Sequence, residues 1–300
     1  MIKRTLYFGN PAYLKTSTEQ MAIEMQETGE TKTVPIEDIG LLILDHPQIT
    51  ITQGLMTKLL AHNVALINCD ATHHPVGLLL NLDGNTLQSQ KFKAQVEATQ
   101  PLKKQLWQQT ISSKIWNQSV HLKSQGKESQ FLHNLSKTVS SGDVENHEAK
   151  AAAYYWKRIF TEVPEFRRER YGLPPNNLLN YGYAILRAIV ARSLVGSGLL
   201  PTLGIFHRNQ YNAYCLADDI MEPYRSFVDS TVCIIMDKHE DWWELNTEKK
   251  KLLLSIPAMD VEMEGQKSPL LTAVQRTTAS LSKCFEGKSR KIAYPQFVAK

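Results

Sequence analysis

The chain has 300 residues, of which 42% are hydrophobic, and its formal net charge is +4. This length and hydrophobic content are enough for a buried core and for more than one domain. Its four cysteines form no C-x-x-C pair, which excludes a zinc knuckle and a disulfide framework and favours reduced thiols. No N-terminal apolar run resembles a signal peptide and no later run would span a membrane, so we expect a soluble cytoplasmic protein.

The first eighty residues are rich in strand signals. Short segments with strand composition, two of them continuous apolar runs typical of strands buried on both faces, occur at 4–8, 22–25, 31–36, 41–44 and 64–68. A helix is expected at 54–61, and a polar, glycine-containing break follows at 81–85. We therefore predict a β-rich N-terminal domain of residues 1–83.

Helical patterns follow from residue 84 onwards. Apolar residues recur at helical spacing from Leu87 to about Leu122, where Pro101 should kink or split the helix. Further helices are predicted at 145–160 and from Asn176 to about Val195. The residues after Gly287 look disordered. The fold class that follows is α+β, with a small β-rich N-terminal domain and a larger all-helical C-terminal domain of residues 84–300.

Acidic and imidazole side chains in the second half form a pattern suited to a metal ion. Glu148 lies in an alanine-rich helical segment, His207 in a loop, and Asp218 and Asp219 just before Glu222. Carboxylates with one imidazole suit Mg²⁺ or Mn²⁺, whereas zinc prefers more nitrogen or sulfur. On a helix, either aspartate would share a face with Glu222. Taken singly, each residue also fits an ordinary structural role.

Three motifs carry a family resemblance: Glu148-Ala-Lys-Ala-Ala-Ala-Tyr-Tyr-Trp, Gly204-Ile-Phe-His207-Arg-Asn and Leu216-Ala-Asp-Asp219-Ile-Met-Glu222-Pro-Tyr-Arg. In order and separation they resemble those of the CRISPR-associated spacer-acquisition integrases, most closely the versions that accompany single-effector RNA-guided nucleases. The resemblance extends over essentially the whole chain. It implies that Glu148, His207 and Glu222 are catalytic ligands of Mg²⁺ or Mn²⁺, with Asp219 supporting them. Two aspartates stand where the family pattern has one. We choose Asp219 because it lies three residues before Glu222, and Asp218 stays open.

The resemblance also implies an activity and partners. The expected enzyme is a metal-dependent DNA endonuclease and integrase that inserts captured foreign DNA fragments into a CRISPR array as new spacers, by 3′-hydroxyl attack on a phosphodiester, in antiviral defence. The expected partners are double-stranded DNA fragments and CRISPR repeat DNA, a second copy of the chain in a homodimer, and a small ferredoxin-like companion protein.

Basic residues are concentrated between 150 and 192, where eight basic residues face three acidic ones, a balance that suits a polyanion. A solvated helix face would have the same composition. If the segment binds DNA, its basic side chains and one next to His207 should contact phosphates: Lys150, Lys157, Arg158, Arg167, Arg168, Arg170, Arg187, Arg192 and Arg208. The first eighty residues are acidic overall, which suits DNA poorly, so we expect them to contact proteins instead.

Two other functions compete with this interpretation. A non-catalytic DNA-binding scaffold would have structural acids and no metal dependence. A transposase-type integrase of the ribonuclease-H fold would also use a carboxylate cluster, but would place its acids on or beside the strands of a mixed sheet. A helical C-terminal domain would separate the second alternative from the main one.

Overall fold

The computed structural model describes residues 3–25 and 28–298, and the chain forms two compact units that divide between Thr86 and Leu87. This division lies close to the boundary expected from the polar break at 81–85. Each unit has its own core.

The N-terminal unit contains two four-stranded sheets and one helix, α1 (Gln53–Ala61). One sheet has the order β1-β5-β7-β8, with three parallel strands and an antiparallel edge strand β8, and the other has the order β4-β3-β2-β6. The strands are β1 (Arg4–Phe8), β2 (Ala12–Ser17), β3 (Gln20–Met25), β4 (Thr31–Pro35), β5 (Ile39–Leu44), β6 (Thr50–Ile51), β7 (Ala65–Cys69) and β8 (Pro75–Leu79).

Burial confirms the interpretation of the continuous apolar runs. Leu41, Leu42 and Ile43 are at most 1% exposed, as expected for a strand covered on both faces. Strand β2 was not expected from the sequence. It forms a hairpin with β3 through a turn at Thr18, whose φ is +55°, without the glycine or asparagine that usually marks such a turn.

The C-terminal unit is helical apart from one short hairpin, which the expectation of an all-helical domain did not include. Its helices are α2 (Gln88–Val96), α3 (Gln100–Ser124), α4 (Gln130–Ser136), α5 (His147–Ile159), α6 (Asn176–Gly196), α7 (Cys215–Met221), α8 (Arg225–Lys238), α9 (Thr247–Leu254) and α10 (Leu270–Phe285). The hairpin consists of β9 (Asp260–Met263) and β10 (Gln266–Pro269), and a 3₁₀ turn at Glu222–Tyr224 joins α7 to α8.

Helix α3 begins where the sequence predicted a break. Thr99 accepts a hydrogen bond from the backbone N–H of Leu102, and Pro101 lies in the first turn, where its missing N–H costs nothing. The predicted helix is therefore split between α2 and α3. In the described part of the chain, α6 alone is long and apolar enough to cross a membrane, but 78% of its apolar window is buried, as in a core helix.

The segment after α10 packs against α3. Buried Asn117 of α3 donates hydrogen bonds to the carbonyls of Pro223 (2.7 Å) and Pro295 (3.1 Å), and accepts one from the backbone N–H of Phe297. The Tyr294 hydroxyl lies 2.8 Å from that of Thr110. The expectation of disorder after Gly287 is thus wrong as far as residue 298, because these contacts order the segment.

Candidate active site

Glu148 lies in the first turn of α5, on a backbone that an upstream carboxylate holds in place. Asp143 accepts hydrogen bonds from the backbone N–H groups of His147 (2.8 Å) and Glu148 (2.9 Å). A carboxylate at the N-terminus of a helix also interacts favourably with the helix dipole. Three residues later, fully buried Ala151 allows α5 to pack closely. The Glu148 side chain, 24% exposed, therefore projects from a rigid element.

A buried hydrogen-bond network joins α5 to three other helices. The Tyr155 hydroxyl donates to Asp229 (2.9 Å), and that of Tyr183 donates to the other oxygen of the same carboxylate (2.5 Å). Burial lowers the pKa of His121 to about 3, so its imidazole is neutral and can donate through Nδ1 to Tyr155 (2.7 Å). Burial raises the pKa of Asp229 to about 6, against the opposing effect of the two tyrosines. Helices α3, α5, α6 and α8 are held together by these contacts.

His207 is oriented by Asp219, whose side chain is fully buried on α7. One oxygen of Asp219 accepts from the backbone N–H groups of Ile205 (2.7 Å) and Phe206 (2.9 Å), and the other lies 2.5 Å from His207 Nδ1. This last bond is the main cause that raises the pKa of His207. Because Asp219 takes Nδ1, the other ring nitrogen, Nε2, is left to bind a ligand.

The loop before His207 can approach Asp219 only because residue 204 is glycine. A Cβ at Gly204 would lie 2.4 Å from the His207 carbonyl oxygen and 2.8 Å from the Asp219 carboxylate. The imidazole meets two aromatic rings edge-on, those of Trp107 and Phe206, which are themselves stacked 4.2 Å apart. The orientation of the ring is thus fixed by packing as well as by hydrogen bonding.

Glu222 opens the 3₁₀ turn that follows α7, and it is 5% exposed. Its Oε1 accepts a hydrogen bond from Arg225 Nε at 2.9 Å. Burial alone would raise the pKa of Glu222, but the charges of Arg225 and Lys114 outweigh it and lower the pKa to about 2. Its Oε2 lies 2.7 Å from the Lys114 ammonium. The carboxylate is therefore ionised, and each of its oxygens contacts a cation.

Lys114 of α3 lies between the two glutamates, and the sequence interpretation missed it. Its ammonium is 2.7 Å from Glu148 Oε1 and 2.7 Å from Glu222 Oε2. Burial acts to lower the pKa of Lys114, but the two carboxylates raise it overall, so the side chain is charged. A signal was available, because Lys114 lies seven residues after buried Trp107 and three after buried Ile111, on the apolar face of the helix.

The structure brings together the residues that the motifs predicted. Glu148 and Glu222 meet at one ammonium, and both carboxylates also act to raise the pKa of His207. Their types fit Mg²⁺ or Mn²⁺, for which carboxylate oxygens are suitable donor atoms. As placed, however, no three His, Cys, Asp or Glu side chains within 3–25 and 28–298 converge closely enough to hold a metal ion. A metal there stays a prediction.

The two adjacent aspartates have different surroundings. Asp218 accepts from Arg187 Nε (2.7 Å) and from the Asn212 side-chain amide (2.7 Å), whereas Asp219 contacts His207. Sequence spacing could not separate them, since either could share a helix face with Glu222. The geometry favours Asp219 as the supporting residue.

The basic residues expected to contact DNA differ in exposure. Those at the surface are Lys150, Lys157, Arg167, Arg170 and Arg208, while Arg158 and Arg187 are partly buried. Arg168 instead donates to the side chains of Asn176 (2.9 Å) and Asn180 (2.7 Å) and so holds the loop before α6. Arg192 is 2% exposed, because α6 is covered on most sides, so a phosphate contact does not fit its position.

The glutamates and the histidine lie on a helix, a loop and a 3₁₀ turn, and the carboxylates are on no strand. This placement does not fit the ribonuclease-H alternative, which needs acids on or beside the strands of a mixed sheet.

Comparison with known proteins bears on the same site. The family model described as "CRISPR associated protein Cas1" matches residues 6–255. The CRISPR-associated endonuclease Cas1 of Neisseria meningitidis serogroup C (strain 8013) is 36% identical over 293 residues, which cover 97% of this chain and 95% of that protein. One from Pyrobaculum aerophilum is 27% identical over 262 residues, 83% of this chain and 88% of the relative.

Solved structures show the same fold at low sequence identity. A casposase bound to an integration product matches with a TM-score of 0.79 at 18% identity, over 100% of this chain and 94% of the other. A Cas1 protein from Thermotoga maritima matches with 0.76 at 16% identity, over 95% and 98%. A Cas6-RT-Cas1–Cas2 complex matches with 0.72 at 18% identity, over 97% of this chain and 36% of that chain. By the family match and the Neisseria relative, the chain belongs to the Cas1 family of CRISPR-associated proteins.

Proposed function

We propose that this chain is a metal-dependent DNA endonuclease and integrase that inserts captured foreign DNA fragments into a CRISPR array as new spacers. The observation that carries the proposal is the convergence of Glu148 and Glu222 on one ammonium, 2.7 Å from each, beside a histidine oriented by Asp219. The names of the relatives support it, since the Neisseria protein is called an endonuclease and the casposase is bound to an integration product.

Glu148, Glu222 and Nε2 of His207 would hold Mg²⁺ or Mn²⁺. Bound there, the ion would supply charge stabilisation for the phosphoryl, attacking and leaving oxygens. The remaining residues would prepare the ligands. Asp219 holds the imidazole in the tautomer that leaves Nε2 unprotonated, and Arg225 keeps Glu222 ionised and fixed.

The reaction would be an exchange of phosphodiester bonds. The 3′-hydroxyl oxygen of the DNA fragment attacks a phosphorus at the edge of a CRISPR repeat, a new P–O bond forms, and the bond to the leaving 3′-oxygen breaks. The attacking hydroxyl loses a proton and the leaving oxygen gains one, so nothing is oxidised and no covalent protein intermediate is needed. With water as the nucleophile, the same site would act as an endonuclease.

DNA would be bound through phosphate contacts around this site. Lys150 and Lys157 are exposed on α5, the helix that also bears Glu148. A cavity of about 240 Å³ beside the stacked Trp107 and Phe206 rings is lined in part by Lys104 and Arg208. Such contacts position DNA without reading its sequence and make binding strongly dependent on salt.

The proposed assembly is a cytoplasmic homodimer that binds a small ferredoxin-like companion protein. Strand β8 is an edge strand of the N-terminal unit, and its Val76 (67% exposed) and Leu79 (38% exposed) offer apolar surface for a protein contact. The Cas6-RT-Cas1–Cas2 structure shows a matching fold within a larger complex, which supports an assembly of this kind.

The test is substitution of each proposed ligand. Glu148→Ala, His207→Ala and Glu222→Ala should each abolish the joining of DNA ends in Mn²⁺, while DNA binding stays nearly intact, because the basic side chains that supply affinity are unchanged. Glu222→Ala should also unfold at a lower temperature, because it leaves buried Lys114 and partly buried Arg225 without this partner. Exposed Glu244, changed to Ala, is the matched control and should join DNA normally.

A chelator should stop the wild-type reaction, whereas a non-catalytic scaffold would show no metal dependence at all. Normal joining by Glu148→Ala or Glu222→Ala would refute the proposal. Loss of DNA binding together with joining would show that these residues hold the fold rather than an ion.

A further inference from the structure

Lys114 lies where the helix would otherwise present an apolar side chain to the core. Its side chain is 10% exposed, and that of Glu222 is 5% exposed. Two carboxylates held this close repel each other unless a cation lies between them, and removing the cation leaves the charge of buried Glu222 less compensated. The Lys114 ammonium is that cation, because it is 2.7 Å from an oxygen of each glutamate.

The two cations at Glu222 contact it in different ways. Arg225 donates a hydrogen bond to Oε1 from its guanidinium, whose planar donors fix its geometry. Lys114 shares one ammonium between Glu222 Oε2 and Glu148 Oε1, at 2.7 Å from each. A lysine ammonium is a compact charge on a flexible stem. Lys114 is therefore the more easily displaced of the two.

We propose that Lys114 is a positioning residue whose ammonium is an internal counter-ion: it holds Glu148 and Glu222 together before a divalent ion arrives, and the ion displaces it on binding. The inference rests on the proposed function, because it takes these glutamates as metal ligands. A divalent ion between the two carboxylates and an ammonium in contact with both would repel each other at close range. The arrangement explains why the candidate ligands approach one another without forming a complete metal cluster among the described residues.

The variant that tests this is Lys114→Met, which keeps an unbranched side chain and removes the charge. Without the competing ammonium, Mn²⁺ should bind about tenfold more tightly or better. Before Mn²⁺ is added, the melting temperature should be lower than in the wild type, because, of the two cations at Glu222, Arg225 is then the one left to offset the repulsion between the two carboxylates. Saturating Mn²⁺ should raise that temperature by more than it does in the wild type, since binding to the folded state stabilises it.

The measurements are titration of Mn²⁺ by electron paramagnetic resonance, which detects the free ion, and thermal unfolding with and without Mn²⁺, on the full chain in the absence of DNA. Lys114→Arg retains the charge and should not gain affinity. Lys123→Met is the matched control, because Lys123 lies on the same helix but is exposed, and neither measurement should change.

Equal or weaker Mn²⁺ binding by Lys114→Met would overturn the inference, since it would show that the lysine supports the ion or is only structural. If Lys114→Met folds only with Mn²⁺ and unfolds on chelation, the inference is supported. If it stays unfolded with Mn²⁺, the lysine is a structural ion pair and the inference fails. If the wild type binds no Mn²⁺, both the proposed metal site and this inference are refuted. If the wild type binds Mn²⁺ and joins DNA, but Lys114→Met binds Mn²⁺ no more tightly, this inference is refuted and the proposed function stands.

Discussion

Replacing Asp219 by asparagine tests how the histidine is oriented. Asp219 accepts two backbone N–H bonds on one oxygen, and on the other it accepts the His207 Nδ1 bond and a longer bond of 3.3 Å from the His207 backbone N–H. The asparagine carbonyl can keep the two backbone bonds, which places its NH₂ group against Nδ1. The imidazole then has to carry its proton on Nε2, the nitrogen that we assign to the metal. The loop stays in place while the histidine has the wrong tautomer.

The magnitude follows from the bonds to His207 that are removed, of which the shorter one, to Nδ1, orients the ring. A hydrogen bond to a charged group contributes about 1.5–3 kcal/mol, and loss of a residue that orients a metal ligand typically costs about 10–100-fold in affinity or activity. We expect strand joining by Asp219→Asn to fall by a factor in that range, with DNA binding unchanged. Asp218→Asn is the matched control and should lose less, because Asp218 contacts Arg187 and Asn212 instead.

The assay is DNA end joining in Mn²⁺ with urea unfolding measured in parallel. Wild-type joining by Asp219→Asn, or a larger loss in Asp218→Asn, would refute this account of the site.

Two further predictions concern DNA binding and pH. Changing exposed Arg167 and Arg170 to Glu should weaken binding to all DNA sequences about equally. It should also reduce the slope of log affinity against log salt by about one for each phosphate that is no longer bound. Weaker binding of one sequence alone in a filter-binding series would contradict contacts to the DNA backbone. Burial raises the pKa of Asp229 from 3.8 to about 6, so its contribution to stability is complete below pH 3.8 and is lost as the pH rises through about 6. In urea unfolding, Asp229→Asn should not show this loss of stability, which is about 3 kcal/mol in the wild type. Asp237→Asn, on the exposed side of α8, is the control and should still show it. Equal dependence of stability on pH in Asp229→Asn and the wild type would show that Asp229 does not titrate in this range.

The sequence predicted those features that have a local cause. The split before α3 follows from Thr99 and Pro101, and burial of β5 follows from its unbroken apolar run. The motifs drew attention to Glu148, His207 and Glu222 as candidate ligands because each lies in a short segment with a recognisable pattern, and their role stays a prediction.

Features made by distant residues could not be obtained in this way. Lys114 contacts Glu148, which lies 34 positions away in the sequence. The charge of Lys114 predicts an exposed side chain, whereas its position on the apolar face of the helix predicts a buried one. Arg192 posed the same problem, since a basic residue within a basic segment was expected to face DNA and is instead buried in α6. The roles of Asp218 and Asp219 could be distinguished only in the structure, where the loop that contains Phe206 and His207 folds over Asp219. In each case, the deciding contact comes from another element.

The Asn117 contacts make the position of the Glu222 turn depend on a segment that is distant in the sequence. Asn117 links the carbonyl of Pro223, one residue after Glu222, to Pro295 and Phe297. One side chain of α3 therefore holds both the turn that carries Glu222 and a segment about seventy residues further along the chain. We expect the Glu222 turn to reach its final position only once that distant segment has packed against α3.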